Sequence, residues 1–238
     1  MRNSILCKAA VLAMMIGVIS EVALASEMEA AIQSAFDGKL VKIENYDSQL
    51  KEIIVGSKSY FATHDGRYIF SGPIFDTKDR VDIVSAKENR HRSAFLNSQP
   101  NDLFVVYASD MQNSQELIVF TAIDCPYCRK FHNYMDEFNE LGITIKYVMM
   151  PRGAVGSKAY KKTLSALCSN NAEKAITLAM QNRELVDVSC PSNRLESHIM
   201  LAKELSINST PTIVLPNGAL KLGLINPKQV VSLISNIE

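Results

Sequence analysis

Leu117-Ile118-Val119-Phe120-Thr121-Ala122-Ile123-Asp124-Cys125-Pro126-Tyr127-Cys128 runs a short apolar segment directly into a pair of cysteines. Leu117–Thr121 is apolar and β-branched, the composition of a buried strand. Beyond the cysteines, Phe131, Met135, Phe138 and Leu141 recur at helical intervals until Gly142 closes the run. This reading predicts a dithiol at a strand-to-helix junction, with its first sulfur at the helix N-terminus. Unpaired backbone N–H groups and the helix dipole favour a thiolate there. Thiol–disulfide exchange needs that arrangement.

Residues 1–25 have the pattern of a cleavable secretory signal. Arg2 and Lys8 precede an apolar core from Ala9 to Ile19, and Ala23-Leu24-Ala25 has the form of a cleavage site. The run is too short for a membrane span and no later stretch qualifies, so a soluble mature chain is expected to begin near Ser26. Cys7 precedes the apolar core and position 26 is serine, which argues against a lipoprotein. Export implies an oxidising space, expected to be a bacterial periplasm. Removing 1–25 leaves Cys125, Cys128, Cys168 and Cys190. Three pairings are formally possible. The expected one makes Cys125–Cys128 the redox pair and Cys168–Cys190 a structural bridge; the alternative for the second pair is two buried free thiols. The mature part keeps 23 basic against 24 acidic side chains, a balance that argues against a nucleic-acid or acidic-lipid partner.

The 213 residues that remain are long for one small fold and point to two domains. The first opens with an amphipathic helix, with Met28, Ile32 and Phe36 on one face and Gly38 as its stop. Strand-like segments follow at Leu40–Ile43, Ile53–Val55, Tyr60–Thr63 and Tyr68–Phe70, turned at Gly56-Ser57 and His64-Asp65-Gly66. So few elements make a thin core, which dimerisation could supplement. Gly72-Pro73-Ile74-Phe75 suits an edge strand, and its exposed apolar side chains would need a partner subunit. Ala86–Leu96 has helical propensity but few apolar residues, as a solvent-exposed connecting helix does. Thereafter strand and helix alternate. Ile143–Val148 is a strand; Lys158–Ser169, Ala172–Gln181 and Leu195–Leu205 are helical. Thr212–Leu215 turns at Asn217-Gly218 into Ala219–Leu222, and Pro227–Ile237 closes the chain as a helix. A βαβ unit, an inserted helical region, a hairpin and a terminal helix are the parts of a thioredoxin fold.

Cys125 is the expected nucleophile, exposed at the helix end, and Cys128, one turn in, the more buried resolving thiol. If the pKa falls from ~8.5 to ~6, the thiolate fraction at pH 7 rises roughly thirtyfold. Intrinsic nucleophilicity falls ~tenfold over the same shift, so attack gains only about twofold to threefold. The larger consequence is that Cys125 becomes a good leaving group. Zinc on Cys125, Cys128 and His132 is the competing reading, but a fourth ligand is missing locally and an oxidising space disfavours free thiolates. His132 is read as an exposed helix residue able to tune the thiolate electrostatically. A purely structural 125–128 bond would constrain almost no loop entropy. Ser209-Thr210-Pro211-Thr212 places a proline directly before an apolar strand, where either a cis or a trans Thr210–Pro211 peptide is possible. A cis proline beside the dithiol would leave the Thr210 backbone free to pair with an extended substrate segment.

Together these residues resemble the DsbC/DsbG family of periplasmic disulfide isomerases. Phe120-Thr121 running into Cys125-Pro126-Tyr127-Cys128, Leu141-Gly142-Ile143-Thr144, Pro151-Arg152-Gly153 and Thr210-Pro211 carry the resemblance. In the N-terminal part it rests on Asp65-Gly66-Arg67-Tyr68-Ile69 and Gly72-Pro73. It implies an α+β and α/β architecture: a cystatin-like dimerisation domain over 26–87, a linker helix over 88–103, and a thioredoxin-like catalytic domain with a helical insertion over 104–238. It further implies a V-shaped homodimer with an apolar cleft, acting on misoxidised or unfolded exported proteins. A membrane thiol reductase of the DsbD type would keep the dithiol reduced, and neither cofactor nor metal is called for. By position, Cys125 attacks, Cys128 resolves, Pro126 and Tyr127 complete the redox motif, and Thr210-Pro211 forms the opposing loop. Pro126-Tyr127 is similar to the DsbG branch, whereas Cys168 and Cys190 look like the structural disulfide of DsbC. The expected activity is reduction or isomerisation of wrong disulfides with chaperone-like binding. The alternatives are a DsbG-like sulfenic-acid reductase and holdase, and a dithiol oxidase.

Overall fold

The computed structural model describes residues 27–37, 39–186, 188, 190 and 194–237. The signal-like segment, its cleavage site, Cys7 and Gly38 lie outside the described residues. The chain divides into two compact units, Met1–Lys87 and Glu88–Glu238.

In the first unit, residues 27–34 form helix α1. A four-stranded antiparallel meander follows: β1 (Lys42–Asn45), β2 (Leu50–Val55), β3 (Lys58–Thr63) and β4 (Ile69–Phe70), in that spatial order. The cluster under α1 is as thin as its composition implies, with Ile32, Ile53 and Ala62 fully buried and Met28 and Phe36 packed against them. Glu52, wholly buried on β2, is held by Lys87 at 2.8 Å and by the Ser59 hydroxyl at 2.8 Å. A carboxylate so placed is tolerable only because it is paired and hydrogen-bonded. Gly72–Ile74 does not form the expected edge strand. Instead β5 (Phe75–Asp76) and β6 (Val81–Asp82) make a two-stranded ribbon. The Asp76 carboxylate turns it by accepting the Lys78 and Asp79 N–H groups at 2.8 and 3.1 Å. That side chain-to-backbone turn is the local chemistry that strand patterning overlooks. Phe75 remains exposed.

Helix α2 (Ile83–Asn97) runs through the unit boundary and starts ahead of both Ala86 and residue 88. Asp82 sets the start by accepting the Val84 N–H and the Ser85 hydroxyl. Its second half is not a solvent-exposed connector. Leu96 is 2% exposed in an apolar cluster, Arg92 donates to the Gly218 carbonyl at 2.6 Å, and Ser93 donates to the Pro216 carbonyl at 2.9 Å. Two polar side chains anchor this face, so apolar counting misses it.

The second unit opens with a 3₁₀ turn, Asn101–Leu103, and continues as β7 (Val105–Tyr107), β8 (Gln115–Thr121), α3 (Pro126–His132), α4 (Met135–Glu140) and β9 (Ile143–Met149). The helical insertion is α5 (Lys158–Leu167), α6 (Ala172–Met180) and α7 (Arg194–Glu204). β10 (Thr212–Val214), β11 (Leu220–Leu222) and α8 (Pro227–Ser235) complete it. The five strands lie in the order β11-β10-β8-β9-β7, with β8 and β9 parallel and the other pairs antiparallel. β8 is buried on both faces: Leu117 and Val119 enter one apolar cluster with Phe131, Phe138 and Tyr147, while Ile118 and Phe120 enter the other with Leu201 and Val214. Burial on both faces explains why β8 reads as an unbroken apolar run. The expected single helix after the cysteines is two. The Tyr134 N–H reaches back to the Phe131 carbonyl, a tight turn, and α4 restarts when Phe138 N–H bonds the Tyr134 carbonyl.

Candidate active site

β8 delivers the dithiol. After Thr121 the chain turns through Ala122–Asp124, and the Cys125 N–H closes the turn on the Ala122 carbonyl at 3.2 Å. Cys125 is the N-cap of α3 in extended conformation, with Pro126 in its first turn. Proline suits that place, because its missing N–H would have had no intrahelical partner. The opposing loop is positioned by strand register. Thr212 on β10 pairs with Phe120 on β8, so Thr210 and Pro211, just before β10, lie beside the segment that follows β8. The Thr210–Pro211 peptide is cis. The Thr210 carbonyl oxygen accepts from the Cys125 thiol at 3.5 Å, so it is already engaged in this state.

Both Cys125 and Cys128 are free thiols. Cys125 is only 4% exposed, because the Thr210 loop lies against it, so the expectation of an openly exposed sulfur is corrected. Cys128 is fully buried. The two thiols are nonetheless electrostatically unequal. Burial disfavours the Cys125 thiolate, but hydrogen bonds from the Cys128 thiol and N–H, the Thr210 side chain and the Tyr127 N–H outweigh it and lower its pKa. For Cys128 burial wins over the lowering influence of the nearby Thr121 hydroxyl and Ala122 backbone, and its thiol is pushed up to about 11. One helical turn therefore separates a sulfur poised to ionise from one held as a thiol. Cys125, Tyr127, Arg152, Ser209 and Thr210 line a cleft of about 600 Å³, with Tyr127 59% exposed at its mouth.

Thr121 and Arg152 were not predicted as site residues. Thr121 ends the apolar run with a hydroxyl, which with Phe120-Thr121 in the family resemblance is the signal the sequence offered; the structure buries it fully. Arg152 is brought to the cleft by the turn after β9, and the sequence marked it only within Pro151-Arg152-Gly153, one of the stretches that carry the family resemblance.

His132 does not sit where the sequence placed it. It is 6% exposed, with Nδ1 at 3.1 Å from the Tyr147 hydroxyl and Nε2 at 3.1 Å from Thr177 Oγ1. Both ring nitrogens thus face groups other than the cysteines, which removes His132 from the zinc set considered above. The face of α3 that packs inward is set by Cys128 and Phe131, and His132 follows Phe131 onto it. Burial pushes its pKa down to about 4 against an opposing Asp136, so it is neutral at pH 7 and adds no positive charge near Cys125. His198 on α7 behaves alike: it accepts the Met149 N–H at 2.9 Å, contacts the Leu103 carbonyl, and burial lowers it to about 4. Both folded-state values lie below the unfolded value near 6.5, so the stability these neutral rings carry is complete above pH 6.5. It is lost as pH falls toward 4. We expect a loss of about 2 kcal/mol per histidine by pH 4.5. Urea midpoints between pH 7 and pH 4.5 check this; a flat dependence rejects it.

Cys168, at the C-terminal end of α5, is disulfide-bonded to Cys190 with Cα atoms 5.6 Å apart. The bond staples the chain after α6 back to α5. It is separate from the free Cys125 and Cys128.

A family profile described as a thioredoxin-like domain matches residues 108–238. The thiol:disulfide interchange protein DsbC of Escherichia coli K12 is 30% identical over 181 residues, covering 76% of this chain and 75% of the relative. The DsbC of Salmonella typhimurium is 32% identical, covering 76% and 74%. Among solved structures, a disulfide interchange protein from Neisseria gonorrhoeae aligns with a TM-score of 0.51 at 24% identity, over 58% of this chain and 97% of that one. A linker-deletion variant of Proteus mirabilis ScsC aligns with a TM-score of 0.50 at 13% identity, over 67% and 87%. These two likenesses concern the fold; the sequence relatives carry the family. By that kinship the chain belongs to the DsbC family of thiol:disulfide interchange proteins and is a thiol–disulfide oxidoreductase built on a thioredoxin-like domain.

Proposed function

We propose that this protein reduces and isomerises incorrect disulfide bonds in exported proteins, working in the periplasm as a homodimer. The observation that carries the reading is the inequality of the two thiols. A Cys125 with a lowered pKa attacks a wrong disulfide and leaves easily. Cys128, kept protonated at neutral pH by burial, is slow to resolve the mixed disulfide, which gives the substrate time to reshuffle its own cysteines. Reshuffling requires a reduced dithiol, so a membrane reductase of the DsbD type is the proposed electron source. Homodimerisation is supported by the two-residue edge strand β4 and the exposed Tyr68, Phe70 and Phe75 on the first unit. Chaperone-like binding of unfolded chains belongs to the same proposal.

The test is reactivation of a scrambled multi-disulfide substrate in glutathione buffer, with thiol trapping of Cys125 and Cys128 in intact cells and sedimentation of the purified protein. The expected results are reactivation well above buffer alone, a predominantly reduced pair and twice the chain mass. A protein that only oxidises reduced substrate, from a predominantly oxidised pair, is a dithiol oxidase, and the proposal falls.

A further inference from the structure

Beside the Cys125 cleft lies a second cavity of about 620 Å³, and the two share a wall made by Met150, Pro151 and Asn208. This second cavity is apolar. The turn after β9 contributes Ala154 and Val155, and α7 with its C-terminal end contributes Ile199, Ala202 and Ile207. Val155 is 80% exposed at the rim while Ala202 and Ile207 are buried, so an open mouth leads down to a covered floor. The cleft is lined by one charged side chain, Arg152, and the cavity by one, Lys203, among the described residues; both are cationic.

Chemistry at Cys125 decides what meets this cavity. When Cys125 Sγ attacks a substrate disulfide, a new S–S bond forms to one substrate sulfur and the other substrate sulfur departs as a thiolate. The substrate chain is then tethered in the cleft. Residues flanking the tethered cysteine advance about 3.3 Å each if extended, so those within a few positions can pass over the shared wall. Tethering gives them a high effective concentration at the cavity. We infer that the cavity between the post-β9 turn and α7 is a specificity subsite that takes a large apolar side chain of the tethered substrate, near its attacked cysteine and flanked by acidic, not basic, residues. This deepens the proposed function and rests on Cys125 being the attacking thiol.

The experiment uses the full chain carrying Cys128→Ser, so that mixed disulfides persist, loaded with glutathione on Cys125. A cysteine peptide is added. Its thiolate attacks the Cys125 sulfur and glutathione leaves as its thiolate, taking up the proton the peptide released. The exchange constant is read by mass spectrometry for peptides in which a single Leu, or Ala in its place, is walked from four residues before to four residues after the cysteine. At one offset the Leu peptide is expected to be favoured about tenfold over its Ala twin, the return for burying most of one leucine. Replacing flanking Glu by Lys in that peptide is expected to reduce the preference severalfold at low salt and less at high salt. Ala154→Trp, which fills the cavity from an exposed turn, is expected to bring the Leu-to-Ala ratio to about one. Because the readout is a ratio on one protein, a change in basal exchange cancels. A ratio near one at every offset, or one unmoved by Ala154→Trp, overturns the subsite. If no peptide displaces glutathione at all, the reading of Cys125 itself fails instead.

Discussion

Cys125→Ser is expected to abolish thiol–disulfide interchange, leaving reactivation of scrambled substrate at the rate of the glutathione buffer alone. The hydrogen bonds that lower the Cys125 pKa stabilise an anion on sulfur; a serine hydroxyl at the same N-cap gives no comparable anion at neutral pH and no S–S bond. Cys128→Ser should behave differently. The first attack survives, resolution does not, and mixed disulfides with substrate accumulate on non-reducing gels. The pH dependence discriminates further. Alkylation of Cys125 by iodoacetamide should reach half its plateau below the ordinary cysteine value near 8.5, whereas Cys128, pushed up to about 11, stays unmodified at neutral pH. With Cys125 only 4% exposed, bulky reagents should react far more slowly than small ones. Full activity in Cys125→Ser, or an ordinary free-thiol titration, rejects this assignment.

The second large effect concerns folding. Gly218→Val is expected to destabilise the protein by at least about 4 kcal/mol, a large share of the 5–15 kcal/mol typical of a domain. Gly218 sits at φ +85° in the turn between β10 and β11, a conformation that costs an ordinary residue about 1–2 kcal/mol and a β-branched one more. A Cβ there would stand 1.9 Å from the Asn89 carbonyl oxygen and 3.0 Å from the Ser93 backbone nitrogen, both on α2. Backbone cannot step aside as a side chain can. The hairpin would have to lift, breaking the Arg92 bond to the Gly218 carbonyl and the Ser93 bond to the Pro216 carbonyl. Urea titration with far-ultraviolet circular dichroism measures the loss. Gly218→Ala should lie between wild type and Val, and a change under 1 kcal/mol for Val rejects the packing described.

How legible the chain is depends on how local each determinant is. The thioredoxin-like unit is readable because its signals lie along short stretches: the apolar β8 run, the two-residue cysteine spacing, the Asn217-Gly218 turn, and Pro227 in the first turn of α8. Strand β7 escaped because three residues carry no periodicity, and it exists through pairing with Ile145–Tyr147. The β5–β6 ribbon escaped because an aspartate side chain, not an apolar pattern, builds it. Burial of polar side chains was the commonest misjudgement. His132 and Arg92 are both hidden because partners distant in sequence pair with their nitrogens.

Local sequence alone determined that a dithiol stands at a strand-to-helix junction, since strand propensity, helix period and a first-turn proline act within a dozen residues. The tertiary structure decided how deep each sulfur lies and what covers Cys125. Burial is what raises Cys128, and the Thr210 loop that lies against Cys125 is brought there by a β10–β8 register joining segments some ninety residues apart. Ionisation energies follow the field and the water around an atom, and chain neighbours such as Cys128 and Tyr127 supply only part of that field.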